Sequence, residues 1–257
     1  MPALQATGLL QSPLMPVLVV LSLVLPALAA LAWLLHWLLI RTEGVFLGRR
    51  VVVWLYDLAA DRYDAIKRFD PDTESAFVTW PLRRRLKGRP APLVLDVATG
   101  TGRLPAFLLA EPEFDGRVVG LDASAGMLRH AAAKLAPFGE RAALVRQSAL
   151  DLPFAAASFD AVTCLEALEF LPDDTAALRE MARVLRPGGV LLVTRRQGSD
   201  AAYFLGRNRG REEFEALLAA IGFGDVRSQP WQVEYELVWA VRPDLSRPDG
   251  WAHEQPH

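Results

Sequence analysis

The stretch "LVLDVATGTGRLPAFLLA", Leu93 to Ala110, decides the fold. A short apolar run enters Ala-Thr-Gly-Thr-Gly and leaves as a segment with apolar residues at helical spacing, which reads as strand, tight turn and helix. Gly100 and Gly102 allow a sharp turn and let a ligand approach backbone N–H groups with no Cβ in the way. A Gly-x-Gly turn is equally compatible with a structural role, so this stretch marks a place without naming a ligand.

Outward from it, short apolar runs alternate with amphipathic segments, the pattern of an α/β domain with a mostly parallel sheet and helices on both faces. The strands are expected at "PLVLDVA" from Pro92, "RVVGLDA" from Arg117, "AALVRQS" from Ala142, "FDAVTCLE" from Phe159 and "GVLLVTRR" from Gly189. One helix carries Leu178, Met181, Ala182 and Leu185 on one face, with Asp173 and Asp174 as caps and "LRPGG" as its stop. Another carries Phe214, Leu217, Leu218 and Ile221 and stops at Gly222. Two closing strands, near 225–229 and 232–241, are expected as an antiparallel pair. No internal repeat is present.

In such a sheet, ligands bind outside the carboxyl ends of the strands, beside the first strand's turn. Asp122 ends the second strand twenty residues after Gly102. A carboxylate there can accept hydrogen bonds from both hydroxyls of a ribose, which implies a nucleoside. A dinucleotide site usually wants glycine or alanine three residues after the second glycine; that position is Pro105. This weakens a nicotinamide cofactor.

Composition separates the chain into two parts. Of 257 residues, 52% are apolar, and the excess is concentrated near the N-terminus. From Leu14 to Ile40 there is no charged residue; as a helix this span is about 40 Å long, more than a hydrocarbon core of about 30 Å. One transmembrane helix over 14–40 is expected, with Pro26 inside it and Trp33 and Trp37 toward one interface. "ALA" at Ala27–Ala29 resembles a signal cleavage site, but no basic region precedes it. Arg41, Arg49 and Arg50 follow the span and no basic residue precedes it, so the bulk of the chain is expected in the cytoplasm, with a single pass of the cell membrane. The expected division is a short segment 1–13, the span, a juxtamembrane and covering segment 41–90, a domain over 91–242 and a loose tail 243–257. "GVFLGRRVVVWLYDL" is compatible with lying along headgroups or packing on the domain. "RRRLKGRP", Arg83 to Pro90, reads as a solvated linker or a contact for anionic lipid. A net charge of −2 gives no reason to expect nucleic acid, and the single Cys164 rules out an intramolecular disulfide and a cysteine-built metal site.

Taken together, "VLDVATGTG", "VVGLDAS", "LDLPFAAASFDAV" and "MARVLRPGGVLLV" resemble four successive motifs of class I S-adenosylmethionine-dependent methyltransferases, in the same order and spacing. The similarity is strongest to the branch that methylates quinone precursors. "YDLAADRYD", Tyr56 to Asp64, resembles the segment that precedes and helps cover the core in that branch. The resemblance covers about Tyr56 to Val241 and implies a Rossmann-like seven-stranded sheet whose last strand is antiparallel. It implies S-adenosyl-L-methionine as cofactor, with Asp96, Ala98, Gly100 and Gly102 around its methionine part, Asp122 on its ribose, and Ala123 and Met127 along its adenine. Ser148, followed by Ala149, stands where many relatives carry an acidic residue for the adenine amino group, and Asp151 is placed to compensate. Ala98 replaces the first glycine of the turn, as the quinone-type branch often does.

Methyl transfer from a sulfonium expels a neutral leaving group, so alignment and desolvation carry much of the acceleration, and a base is needed only if the nucleophile must lose a proton. Glu166, Glu169 and Tyr63, with Tyr56, are the candidate substrate contacts; Glu166 also suits the cofactor's amine. His130 reads as a solvated helix face, His36 lies in the span, and His253 and His257 lie in the tail. The expected function is methyl transfer to a small lipophilic acceptor, quinone-like or lipid, at the membrane face. The alternatives are a nicotinamide-dependent reductase and an anchored, non-catalytic relative.

Overall fold

The computed structural model describes residues 15–244. The expected segment 1–13, the tail from 245 on, and with it His253 and His257, lie outside the described residues. The described residues open with α1 (Met15–His36), which is continuous through Pro26 and extends by a π-helical turn, Trp37–Arg41. Residues 17–41 have a mean hydropathy of 2.6 and no part of their most apolar window is buried, so this helix is long and apolar enough to cross a membrane.

The exit from this helix folds back on the helix end and packs on the domain. The Thr42 and Gly44 N–H groups donate back to the Trp37 and Leu38 carbonyls at 3.0 and 2.8 Å, and Thr42 is fully buried. Arg41 reaches Asp200 at 3.4 Å and lies 4.5 Å from the centre of the Tyr203 ring. Val45 and Val52 pack into a small cluster with Phe170 and Phe204. The segment 41–90 is then largely helical: α2 (Arg49–Ala59), α3 (Tyr63–Lys67), α4 (Pro71–Glu74) and α5 (Trp80–Leu86). The basic run is not a solvated linker. Leu86 is buried, Arg83 pairs with Glu113, Arg85 stacks on Trp239, and Arg89 holds Asp160 at 3.1 Å where the chain enters the sheet.

The sheet has seven strands, β1 (Leu93–Val97), β2 (Arg117–Asp122), β3 (Ala142–Arg146), β4 (Phe159–Cys164), β5 (Leu185–Arg196), β6 (Gly224–Pro230) and β7 (Tyr235–Val241), in the order β3-β2-β1-β4-β5-β7-β6. Neighbours are parallel except that β7 runs against both β5 and β6. Alternation along the strands divides the core. Val94, Val118 and Leu192 face Leu82, Leu104 and Leu108, whereas Leu95, Val162 and Val193 face Leu178, Met181, Phe214 and Leu218. Burial on both faces explains why β4 is apolar or small from Ala161 to Cys164, after Asp160, which is paired with Arg89 and Arg186, and why Cys164 is buried there.

The remaining helices are α6 (Arg103–Ala110), α7 (Ala125–Leu135), α8 (Asp174–Val184) and α9 (Arg211–Ile221). Asp173 caps α8 by accepting from the Ala176 N–H, and Gly222 ends α9 with φ +111°. The β5 strand begins at Leu185, not Gly189. The pairing with β4 slips between Phe159 and Ala161, and this irregularity absorbs the Arg-Pro-Gly-Gly turn into the strand.

Candidate active site

In this order, β1 and β4 are adjacent although the chain visits β2 and β3 between them, and the crevice above their carboxyl ends is the expected ligand position. The turn after β1 is wound in the left-handed region, with φ of +55° at Ala98, +55° at Gly100 and +77° at Gly102. The glycines occupy it freely, while Ala98 costs about 1–2 kcal/mol there. Asp96 braces the turn from below, accepting from the Thr99 hydroxyl at 2.7 Å and from the Thr163 hydroxyl of β4 at 2.6 Å. Burial pushes its carboxyl up to about 6 against the pull of both threonines. Asp122 at the end of β2 accepts from the Gly100 N–H at 2.9 Å and the Ser124 N–H at 2.8 Å. Burial raises its pKa as well. A carboxylate offers about four acceptor sites, so these bonds leave capacity for a ligand's hydroxyls.

Two adjoining chambers lie over this turn. The larger, about 790 Å³ with part of it open to solvent, is lined by Gly100, Asp122, Ala123, Ser148 and Ala149 and by an apolar set, Val52, Val53, Leu165, Phe170 and Leu171. The smaller, about 370 Å³, is lined by Asp96, Thr99, Thr101, Arg103 and Phe69. Tyr63, Ala98, Gly100, Leu165 and Glu166 line both. A nucleoside with a zwitterionic arm fits this arrangement: Asp122 for hydroxyls, and oppositely charged groups at the other end. A methyl group added to Gly100 would meet no atom within 4 Å, so the bare backbone leaves room at the junction. Gly102 serves packing instead. A methyl group there would meet Ala131 at 3.2 Å and Leu135 at 3.4 Å, and the residue lines neither chamber.

Glu166 leaves β4 with φ +53°, the second non-glycine residue in the left-handed region at this junction. Its carboxylate lies 2.8 Å from both Lys67 Nζ and Arg103 Nη1, with Glu74 3.5 Å from the same guanidinium. Burial alone would raise its pKa, but Arg103 and Lys67 outweigh it and hold Glu166 at about 2. Such a carboxylate is a weak base and a firm anchor for a cation. Tyr63 is pushed up to about 12, chiefly by burial, so its hydroxyl stays protonated. Tyr56 donates to Glu43 at 2.8 Å and lines the larger chamber.

Glu169 does not reach the cleft. It is buried behind Phe170, bonded to Arg196 at 3.0 Å and to the Tyr235 hydroxyl at 2.5 Å, and burial raises its pKa. Met127, in the first turn of α7, is buried and lines neither chamber. The structure therefore gathers Asp96, Ala98, Gly100, Asp122, Ala123, Ser148, Ala149, Glu166 and Tyr63 around one crevice and leaves Gly102, Met127 and Glu169 outside it. Sequence reasoning missed Gln147, Lys67 and Arg103. Gln147 follows β3 directly, and its place at a strand's carboxyl end was a readable signal. Arg103 begins a helix, where arginine ordinarily reads as solvated.

The covering segment is latched to α7 by three aspartates one helical turn or so apart. Asp57 accepts from the Ser124 hydroxyl at 2.6 Å and the Gly126 N–H at 2.7 Å. Asp61 meets His130 at 2.8 Å, and Asp64 accepts from Lys134 at 2.6 Å and from the Thr101 hydroxyl at 2.5 Å. Burial would raise the Asp57 and Asp64 pKa values, but these bonds lower both. A Cβ at Gly126 would lie 3.0 Å from the Asp57 backbone, closer than ordinary contact, so the bare glycine lets α2 pack tightly on α7.

Residues 94–189 match a family model described as a methyltransferase domain. The chain is 39% identical over 144 residues to the ubiquinone/menaquinone biosynthesis C-methyltransferase UbiE of Syntrophotalea carbinolica, across 54% of this chain and 58% of that protein. It is 34% identical over 139 residues to the demethylmenaquinone methyltransferase of Symbiobacterium thermophilum, across 52% of this chain and 55% of that one. The chain thus spans a little over half the length of these curated relatives. Among solved structures, a SAM-dependent methyltransferase from Aquifex aeolicus superposes with a TM-score of 0.55 at 20% identity, over 68% of this chain and 95% of that one, which shows a shared fold.

Proposed function

We propose, for a chain that carries the methyltransferase domain of the class I S-adenosylmethionine-dependent family, that it methylates a small lipophilic acceptor, quinone-like or lipid, at the cytoplasmic face of a membrane. The observation that carries this reading is the two-part cleft. Its lining combines the charged and hydroxyl-binding groups suited to S-adenosylmethionine with an apolar wall of Val52, Val53, Leu165, Phe170 and Leu171. The exposed apolar helix that precedes the domain supports the membrane location.

When bound, S-adenosylmethionine supplies an electrophilic methyl group on a sulfonium. The residues around it orient and desolvate. Asp122 would hold the nucleoside's hydroxyls, Ala98 and Gly100 would frame the methionine part, and Glu166, held ionised between Lys67 and Arg103, would offer negative charge to an ammonium. Tyr63 keeps its proton and lines both chambers, so it can donate to an acceptor's oxygen. With Glu166 at about 2, proton removal falls to solvent or to an acceptor already ionised.

The test is to incubate membranes that contain the protein with S-adenosylmethionine labelled on its methyl group, and to separate organic-soluble from aqueous products. Label in the organic phase, lost in Asp122→Ala, is the expected result. Label confined to the aqueous phase overturns the lipophilic acceptor. No label in either phase overturns the activity.

A further inference from the structure

We propose that α2 is an interfacial helix whose outer face, together with the tip of the 199–207 loop, lies in the headgroup layer of an anionic bilayer, so that the acceptor enters the cleft from the lipid side. The lipid contact is read from the surface itself; only the route of entry rests on the function proposed above.

The two faces of α2 differ. Val52, Val53 and Tyr56 line the larger chamber, and Arg49 stands at its rim. On the opposite side, Trp54 and Leu58, four residues apart and so stacked on one face, are 58% and 69% exposed. Phe46 and Leu47, in the turn before α2, are exposed too. A second segment adds to this surface from far along the chain. Phe204 is buried against Val45 and Val52, while its neighbour Leu205 is 67% exposed and Arg207 lies 5.9 Å from the Phe46 ring. Two remote segments thus present large apolar side chains around the exit of α1.

Three observations select lipid as the occupant. First, the helical run from α1 ends at Arg41, and only the seven residues 42–48 separate it from α2. With Thr42 and Val45 buried, those residues cannot extend away from the exit point. Second, the charges suit an anionic surface. Arg49 and Arg50 are exposed, whereas the nearby acids have partners in the chain: Glu43 in Tyr56, Asp57 in Ser124, Asp61 in His130, Asp64 in Lys134 and Asp200 in Arg41. Third, tryptophan beside leucine and arginine is the side-chain set of the membrane interface.

The test uses the full chain in nanodiscs of mixed phosphatidylcholine and phosphatidylglycerol. An environment-sensitive fluorophore is placed singly by Trp54→Cys, Leu58→Cys, Leu205→Cys and, at the amino end of β2, Arg117→Cys. Cys164 is buried and does not compete. Brominated lipids should quench the first three labels severalfold more than the fourth. Equal quenching at positions 54 and 117, a label shielded from water by a second copy rather than by lipid, or a chain that stays outside the disc overturns the proposal. These readings need neither cofactor nor acceptor, so their failure is separable from failure of the methyl-transfer reading. A second measurement addresses entry. Trp54→Glu with Leu58→Glu should leave S-adenosylmethionine binding unchanged and lower organic-phase labelling severalfold, and unchanged labelling overturns the lateral route.

Discussion

Substituting alanine for Gly100 and for Gly102 separately should dissociate two properties that a Gly-x-Gly turn joins. Both residues have positive φ, +55° and +77°, so alanine pays about 1–2 kcal/mol at either, offset by about 0.5 kcal/mol from the stiffer unfolded chain. At Gly100 the added methyl meets nothing within 4 Å, and Ala98 already tolerates the same φ in the same turn. The net loss is about 1 kcal/mol, or about 2–4 °C in Tm. At Gly102 the methyl must displace Ala131, 3.2 Å away, and Leu135, 3.4 Å away, which adds an overpacking cost of about 2 kcal/mol. The total of about 3 kcal/mol lowers Tm by about 6–12 °C. Binding should show the reverse order. Gly100 lines both chambers, so Gly100→Ala should weaken S-adenosylmethionine at least about tenfold, equivalent to about 1.4 kcal/mol, whereas folded Gly102→Ala should bind nearly as before. Thermal unfolding and titration calorimetry read the two properties. A Gly100→Ala protein that binds as wild type, or a Gly102→Ala protein that melts normally but does not bind, would refute the assignment of one glycine to the cleft and the other to packing.

Glu166→Gln should strand Lys67 and Arg103 without their shared anion and destabilise the fold by about 3 kcal/mol, measured by denaturant unfolding; a loss near zero would show that the cluster is solvated. Stability should depend on pH in two opposed steps. Asp96, raised from 3.8 to about 6, binds its proton in the native state first, so stability rises as pH falls from about 6 to about 4, by up to about 3 kcal/mol. Glu166, lowered from 4.5 to about 2, contributes stability above pH 4.5 that is lost as pH falls toward 2, again by up to about 3 kcal/mol. Unfolding curves of Asp96→Asn should lack the first step, and a wild type without any rise below pH 6 would contradict it. Asp57→Ala removes the acceptor for Ser124 and Gly126, so amide exchange should accelerate in 49–62 while β4 and α8 stay protected; unchanged exchange would mean that the latch rests on Asp61 and Asp64 alone.

The strands and the crevice were legible because their signals are local. Buried strands of a parallel sheet leave apolar runs, and a left-handed turn at a strand's end leaves glycines, so Leu93–Gly102 and Asp122 speak for themselves. Glu169 misled because its position near the end of β4 is shared with Glu166. Which carboxylate turns into the crevice depends on the backbone at Glu166, φ +53°, and on Tyr235, 66 residues away, which claims the other. Arg103 and Lys67 were invisible for a related reason: a cation's burial is decided by the carboxylate it meets, and Glu166 is remote from both in sequence. The covering motif "YDLAADRYD" was recognised as a unit, but its aspartates acquire their role only through the residues that α7 presents at the same helical spacing.

The joint between the apolar helix and the domain is short and packed: Arg41 pairs with Asp200, Thr42 is buried and bonded back onto the helix end, and Val45 is buried against Phe170 and Phe204. For a chain seated in a bilayer, this removes the swivelling that a flexible tether would permit and leaves the cleft at one tilt and one height above the lipid. For the lipophilic acceptor proposed above, encounter then becomes a search in two dimensions. Turnover at constant bulk acceptor should fall when inert lipid is added, because the governing quantity is the acceptor's mole fraction in the surface and not its concentration in water.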